Sequence, residues 1–232
     1  MGDSPPAPAP PGGVKGETRI EEPSPRQRTI ARRAAEARAT VPDFECSVEV
    51  DIEAALALRA QQQCSITAIL VRACALALRD VPRANGAYRD GRFELYSRIN
   101  IAVTAATDDA FQTPVVFDAD HKSLAELTTE IGLLTERAVS GALSPPELAG
   151  ATFTISDLGA HHVSSASTIL SPPQAAALTA GAIRAVPVAR DRAIVPGQVI
   201  TITLACDHRI VFQAQAAAFL TMVKRLIEEA AL

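Results

Sequence analysis

The stretch Val199-Ile-Thr-Ile-Thr-Leu-Ala-Cys206 reads as an apolar β-strand, and an apolar helix expected over Phe212 to Ala230 follows it almost at once. Between them stands Asp207-His208-Arg209. A histidine at the end of a strand is held by backbone pairing while its ring projects beyond the sheet. That geometry suits a general base. His208 is therefore the first candidate for chemistry.

The remaining pattern mixes helices with strands. A helix is expected over Arg26 to Arg38, and Phe44 to Val50 alternates apolar and polar residues as a half-buried strand does. Ile52 to Gln62 is helical. Ser65 caps a further helix to about Arg79 that carries Ile66, Ile69, Leu70, Ala73 and Ala77 on one face, and Pro82 ends it. Asp90-Gly91 is a turn between short strands around Ala87–Tyr88 and Phe93–Tyr96. Ile99 to Thr104 and Thr113 to Phe117 read as strands. Ser123-Leu-Ala-Glu126 is a capping box that opens a helix to about Val139, and Ser144-Pro-Pro-Glu147 starts a helical turn. Strands are expected over Thr152–Ser156, Ala175–Ile183 and Val199–Cys206. Neighbouring strands look antiparallel, which argues for an α/β sandwich rather than a βαβ repeat.

Composition narrows the function classes. No apolar run of the 232 residues approaches the roughly 20 that a membrane span needs, and Arg72 interrupts the longest, Ala68 to Leu78. The N-terminus has no basic segment followed by an apolar one, so no signal peptide is read. Net charge is −4, without the basic stripe that nucleic-acid binding needs. Arg26, Arg28, Arg32 and Arg33 lie among Glu21, Glu22 and Glu36 and read as a solvated helix face. Cys46, Cys64, Cys74 and Cys206 form no Cys-x-x-Cys pair, which leaves a zinc site unsupported. Cys74 in an apolar helical run and Cys206 in a strand are expected as buried free thiols in a reducing cytosol, and with them a cytoplasmic protein. His161-His162 lacks metal-ligand spacing, and His121 sits in a polar loop, so no metal is expected. Residues 1–24, rich in Pro, Ala and Gly, read as a linker that implies further sequence upstream, and 25–232 as the globular domain.

Two more segments carry chemistry. Gly150-Ala-Thr-Phe-Thr-Ile-Ser-Asp-Leu-Gly159 is a strand that runs into a glycine-bearing loop, with Ser156 near the strand end. Ser171-Pro-Pro-Gln-Ala175 is a rigid turn that feeds a strand. Taken in order with Asp207-His208-Arg209, these segments resemble the inner-core catalytic domain of dihydrolipoyl acyltransferases, the E2 components of 2-oxo acid dehydrogenase complexes. Arg28-Thr-Ile-Ala-Arg-Arg33, Val41-Pro-Asp-Phe44, Asn100-Ile-Ala-Val103, Thr113-Pro-Val-Val-Phe-Asp-Ala-Asp120 and Lys122-Ser-Leu-Ala-Glu-Leu127 fall in register with the same family. The resemblance covers about residue 25 to the C-terminus.

The resemblance implies a chloramphenicol-acetyltransferase-like two-layer α/β sandwich, with a mixed, largely antiparallel sheet flanked by helices, assembled as a homotrimer or a larger cubic or dodecahedral core. It implies transfer of an acyl group, acetyl or branched-chain, between CoA and a lipoyl group carried on a separate domain, beside E1 and E3 partners. In this family the histidine of one subunit faces the serine region of its neighbour. His208 matches the family's base and Ser156 its oxyanion donor. Four residues shape the site: Asp207, Arg209, Phe212 and Asp157. The family's Asp-Gly after the histidine is Phe212-Gln213 here, and its Asn-Leu-Gly is Asp157-Leu-Gly159, which sets a negative charge next to the expected oxyanion donor. Two readings follow: an acyltransferase with an altered site, or a core protein kept for assembly. The retained histidine favours the enzyme. The antibiotic acetyltransferases share the fold, but their His-His-x-x-x-Asp-Gly motif is unmatched.

Overall fold

The computed structural model describes residues 16–108, 110–190 and 192–232. Most of the expected linker lies outside the described residues, and its remainder, 16–24, is irregular and mainly exposed. Helix α1 (Pro25–Thr40) opens on a capping box in which Ser24 and Gln27 satisfy each other's backbone N–H groups. Its only buried residue is Ala37, and the four arginines are exposed as expected. Strand β1 (Asp43–Asp51), helix α2 (Glu53–Gln62) and helix α3 (Ile66–Asp80) follow. Ser65 Oγ accepts the Ala68 N–H at 3.0 Å and starts α3 where expected. Nine of the α3 residues are buried, on more than one face, because neighbours surround the helix. Arg72, set into this apolar stretch, donates to the Asp120 carbonyl at 2.7 Å.

The hairpin β2 (Gly86–Arg89) and β3 (Arg92–Leu95) turns at Asp90 and Gly91, both with positive φ, as a two-residue turn of the I′ kind requires. Buried Asn85 donates to the carbonyls of Tyr96 and Arg98 and ties down the far end of the hairpin. Strand β4 (Ile101–Val103) and the small hairpin β5 (Ala105–Ala106) and β6 (Phe111–Gln112) precede β7 (Val115–Val116), so the two strands expected here are shorter than the sequence suggests. Helix α4 (Leu124–Val139) leads to β8 (Phe153–Asp157), β9 (Ala176–Ala180), β10 (Arg184–Arg190), β11 (Ala193–Asp207) and helix α5 (Gln213–Glu228).

The main sheet runs β1-β11-β9-β8-β4-β7, with β10 paired to the first half of β11. The other pairings are antiparallel, whereas β4–β8 and β8–β9 are parallel, so the sheet is mixed and largely antiparallel, as expected. Strand β10 and the start of β11 escape sequence reading because each holds a proline, a residue that lowers the case for a strand. Pro187 stands opposite Pro196, so neither lost N–H is needed between the two strands.

The sheet has two unlike faces. One carries Val50, Ile155, Leu178, Ile202 and Leu204 into a single core with α3, α4 and α5, where Phe153 and Phe219 meet at 5.7 Å. The other carries small and hydroxylated residues, and Leu170 packs there against Ala177 and Ala205. Three of the four cysteines are buried and none is bridged; burial pushes the Cys74 and Cys206 thiols up.

Truncating Phe219→Ala should destabilise the domain by about 3–5 kcal/mol, because the cavity forms between α5 and the sheet where neither can collapse. Denaturant unfolding checks this: a loss under 1 kcal/mol would contradict the packing. Acid behaviour follows from the capping boxes. Serine hydroxyls and backbone N–H groups hold the carboxyls of Glu126 and Glu147 below the usual glutamate range. Their contribution is therefore complete above that range and is lost as pH falls through and below it. The pair Glu126→Gln and Glu147→Gln should flatten the acid limb of a Tm-against-pH curve; an unchanged limb would contradict it.

Candidate active site

His208 follows the last residue of β11, and backbone bonds on two sides fix it. The Asp207 N–H donates to the Ala175 carbonyl at 2.8 Å, and the His208 N–H donates to the Pro42 carbonyl at 3.0 Å. The chain then turns: the N–H groups of Ile210 and Val211 both donate to the Asp207 carbonyl. Asp207 is 4% exposed, and its carboxylate is fully used within the turn. It accepts the Arg209 backbone N–H at 3.0 Å and takes the guanidinium in a fork, Nε at 2.9 Å and Nη2 at 2.7 Å. The Arg209 guanidinium also lies 4.8 Å over the Tyr88 ring. Asp207 and Arg209 thus brace the turn from its own flanks, and neither bonds the imidazole.

The imidazole instead sits among rings. Phe44 and Phe212 each approach it edge-on with centroids at 5.8 Å. Phe212 is 42% exposed and occupies the N-cap of α5, where it has no side-chain oxygen to give; Gln215 reaches back to its N–H instead. The Arg83 guanidinium stands 5.6 Å from the Phe212 ring and 4.8 Å from Phe93. Neither Phe44 nor Arg83 was expected at the site from the sequence, since only the fold brings β1 and the turn after α3 beside β11.

Ser156 lies near the end of β8. Its Oγ is 2.8 Å from Thr104 Oγ1. Asp157, next along the strand, points elsewhere: its carboxylate accepts from Thr67 Oγ1 and from the Gly159 N–H, both at 2.9 Å. The negative charge expected beside Ser156 is thus turned into a loop brace, because adjacent strand residues face opposite sides of a sheet. The Pro172–Pro173 peptide is cis, and buried Gln174 accepts from Thr154 Oγ1 at 2.6 Å. His121 and His161 end short 3-10 turns, His162 follows the second of these in the loop after β8, and no metal-holding cluster occurs among the described residues. No described helix is long and apolar enough to cross a membrane.

One chain does not bring His208 and Ser156 together. Ser156 is level with Thr179 and so with Thr203, five residues short of His208 and two strands away. That is about 16 Å along the strands and about 10 Å across them.

The layers, topology and strand-end histidine define the chloramphenicol-acetyltransferase class of fold, and the likeness to chloramphenicol acetyltransferase itself (TM-score 0.59 at 16% identity, over 84% of this chain and 94% of that one) is one of fold. Residues 15–232 match the family described as 2-oxoacid dehydrogenases acyltransferase (catalytic domain), and the chain belongs to it. It is 31% identical over 216 residues to the dihydrolipoyllysine-residue acetyltransferase component of the pyruvate dehydrogenase complex of Rickettsia bellii (strain RML369-C), covering 89% of this chain and 52% of that protein. It thus spans about half the length of the curated relatives it matches. Two solved structures superpose at TM-score 0.91, each with 26% identity and 98% of both chains covered: the Azotobacter vinelandii dihydrolipoamide acetyltransferase and a cubic core of the pyruvate dehydrogenase multienzyme complex. In the Azotobacter enzyme the serine and histidine whose role in catalysis was investigated stand 52 residues apart, as Ser156 and His208 do; the asparagine studied with them falls where this chain has Phe212.

Arg209→Met leaves the buried Asp207 carboxylate without its fork. The cost should be about 2 kcal/mol, the range for a lost bond to a charged group, and not the full figure for a buried pair because Arg209 is partly exposed. A fall in Tm of about 4–8 °C is expected; an unchanged Tm would show that water replaces the guanidinium freely.

Proposed function

We propose that this domain is the catalytic core of a dihydrolipoyl acetyltransferase, which exchanges an acetyl group between CoA and a dihydrolipoyl thiol. His208 is the general base and Ser156 the oxyanion donor. The observation that carries the reading is the pairing of a braced strand-end histidine with a serine at the separation found in the Azotobacter enzyme. The names of the relatives favour acetyl over a branched acyl group.

The chemistry follows from ordinary acidities. A thiol near pKa 8.5 is mainly protonated at neutral pH, and a neutral imidazole accepts its proton as the sulfur attacks the thioester carbonyl. The carbonyl oxygen becomes an oxyanion, which the Ser156 hydroxyl meets with a hydrogen bond. Collapse of the tetrahedral intermediate expels the other thiolate, which regains a proton from the imidazolium. Because one chain holds base and donor far apart, the working site forms between copies, with the His208 end of one against the Ser156 end of the next. A homotrimer supplies this arrangement, and the cubic core to which the chain is similar is an assembly on which larger growth would be patterned. The lipoyl group would reach this site on a separate domain, and E1 and E3 would be partners of the complex.

A second reading, a core that assembles without catalysing, is favoured by Phe212 at the position of the catalytic asparagine. The assay that separates them is acetyl transfer from acetyl-CoA to free dihydrolipoamide by the assembled core. Under the first reading, His208→Ala lowers kcat by about 10²–10⁴-fold and Ser156→Ala by about 10²–10³-fold. Cores co-assembled from the two variants regain part of the activity, because some interfaces pair an intact histidine with an intact serine. Equal inertness of wild type and His208→Ala would establish the second reading; active wild type with no regain in mixed cores would refute the shared site.

A further inference from the structure

Four strands, and the residue that follows β4, carry a hydroxyl at one level of the face opposite α3, α4 and α5. Ser156 is level with Thr179, Thr179 with Thr203, and Thr203 with Ser47. Thr104 extends the row beyond Ser156: Val103 pairs with Ile155, so the next residue of each strand falls side by side. The row is not uniformly bonded. Ser47 and Thr203 share a hydrogen bond at 2.9 Å, and Thr104 and Ser156 share one at 2.8 Å. Thr179 is 2% exposed, and its Oγ1 has no partner.

We infer that Thr104 is a positioning residue for the acyl-transfer reaction: its hydroxyl donates to Ser156 Oγ and so aims the Ser156 proton at the oxyanion. The inference rests on the acetyltransferase reading above. The Thr104 N–H donates to the Ile155 carbonyl at 2.9 Å, which fixes its backbone one residue from Ser156. A β-branched side chain has few χ1 states, so the hydroxyl stays where the backbone puts it. Among the described residues neither hydroxyl has another hydrogen-bond partner. Each carries a single proton. At rest either oxygen can be the donor. Once an oxyanion forms, the Ser156 proton has a charged acceptor, and Thr104 is left to donate to Ser156 Oγ. A hydroxyl that accepts one bond donates a stronger one, so Thr104 reinforces the Ser156 bond just as charge develops. Thr179, level with Ser156 on the other side, makes no such bond.

Because the second bond strengthens with the oxyanion, its loss falls on kcat and leaves substrate binding alone. In the assembled core, Thr104→Val, which keeps the shape and removes the hydroxyl, should lower kcat about tenfold with both KM values within about twofold. Thr104→Ser should restore most of the rate. The double variant Thr104→Val with Ser156→Ala should be no slower than Ser156→Ala alone, since the relay acts only through Ser156. Thermal melting identifies variants that fail to fold, and the serine variant carries the test if valine does so. Four results overturn the inference: an unchanged kcat in Thr104→Val, a serine variant as slow as valine when both fold, losses that multiply in the double variant, or activity indifferent to Ser156→Ala. An inert wild type would remove the acetyltransferase reading and the relay together. An active wild type that needs His208 and Ser156 but ignores Thr104 would remove the relay alone.

Discussion

Strand β11 is hydrogen-bonded along both edges over its second half, to β1 on one side and β9 on the other. A strand held on both sides cannot slip by one residue without carrying Ile200, Ile202, Leu204 and Cys206 out of the core and Thr201 and Thr203 into it. The register of β11 therefore fixes where Asp207 leaves the sheet, and with it the position and direction of His208. The bracing of the turn by Asp207 and Arg209 completes what the register begins. A side chain placed in this way needs little reordering when a ligand arrives.

The same alternation that buries one face of the sheet gives the other its character. Hydrophobic residues meet α3, α4 and α5, so the opposite face can be built from Ala, Ser and Thr without loss of the core. Such a face brings hydroxyls level across several strands. It also explains Asp157: one step along β8 from Ser156, its carboxylate turns to Thr67 and Gly159 and away from the Ser156 side of the sheet.

The setting of His208 departs from the polar arrangement that an Asp or Asn four residues on would give. With Phe44 and Phe212 edge-on, the ring is oriented by packing, and Phe212 leaves α5 without a side-chain N-cap acceptor. Phe212 therefore acts in two ways, as a neighbour of the imidazole and as an unusual start to a helix. Arg83 stacked against it ties both to the β2–β3 hairpin.

Taken alone, the sequence determined the helices, most of the strands and the two residues proposed for the chemistry. Periodicity, capping boxes and turn residues are local signals: Ser65, the Ser123–Glu126 box and Asp90-Gly91 each act over a few residues, and each does so here. His208 and Ser156 were legible because each ends an apolar strand in a distinctive run. The prolines of β10 and β11 hid the hairpin that these two strands form. Which strands run parallel, which way Asp157 faces, the rings around His208 and the bond from Thr104 to Ser156 were decided by tertiary structure alone, because each depends on residues far apart in the chain that meet only when the sheet closes. The distance between His208 and Ser156 belongs to the same group: strand order sets it, and no spacing in the sequence encodes it.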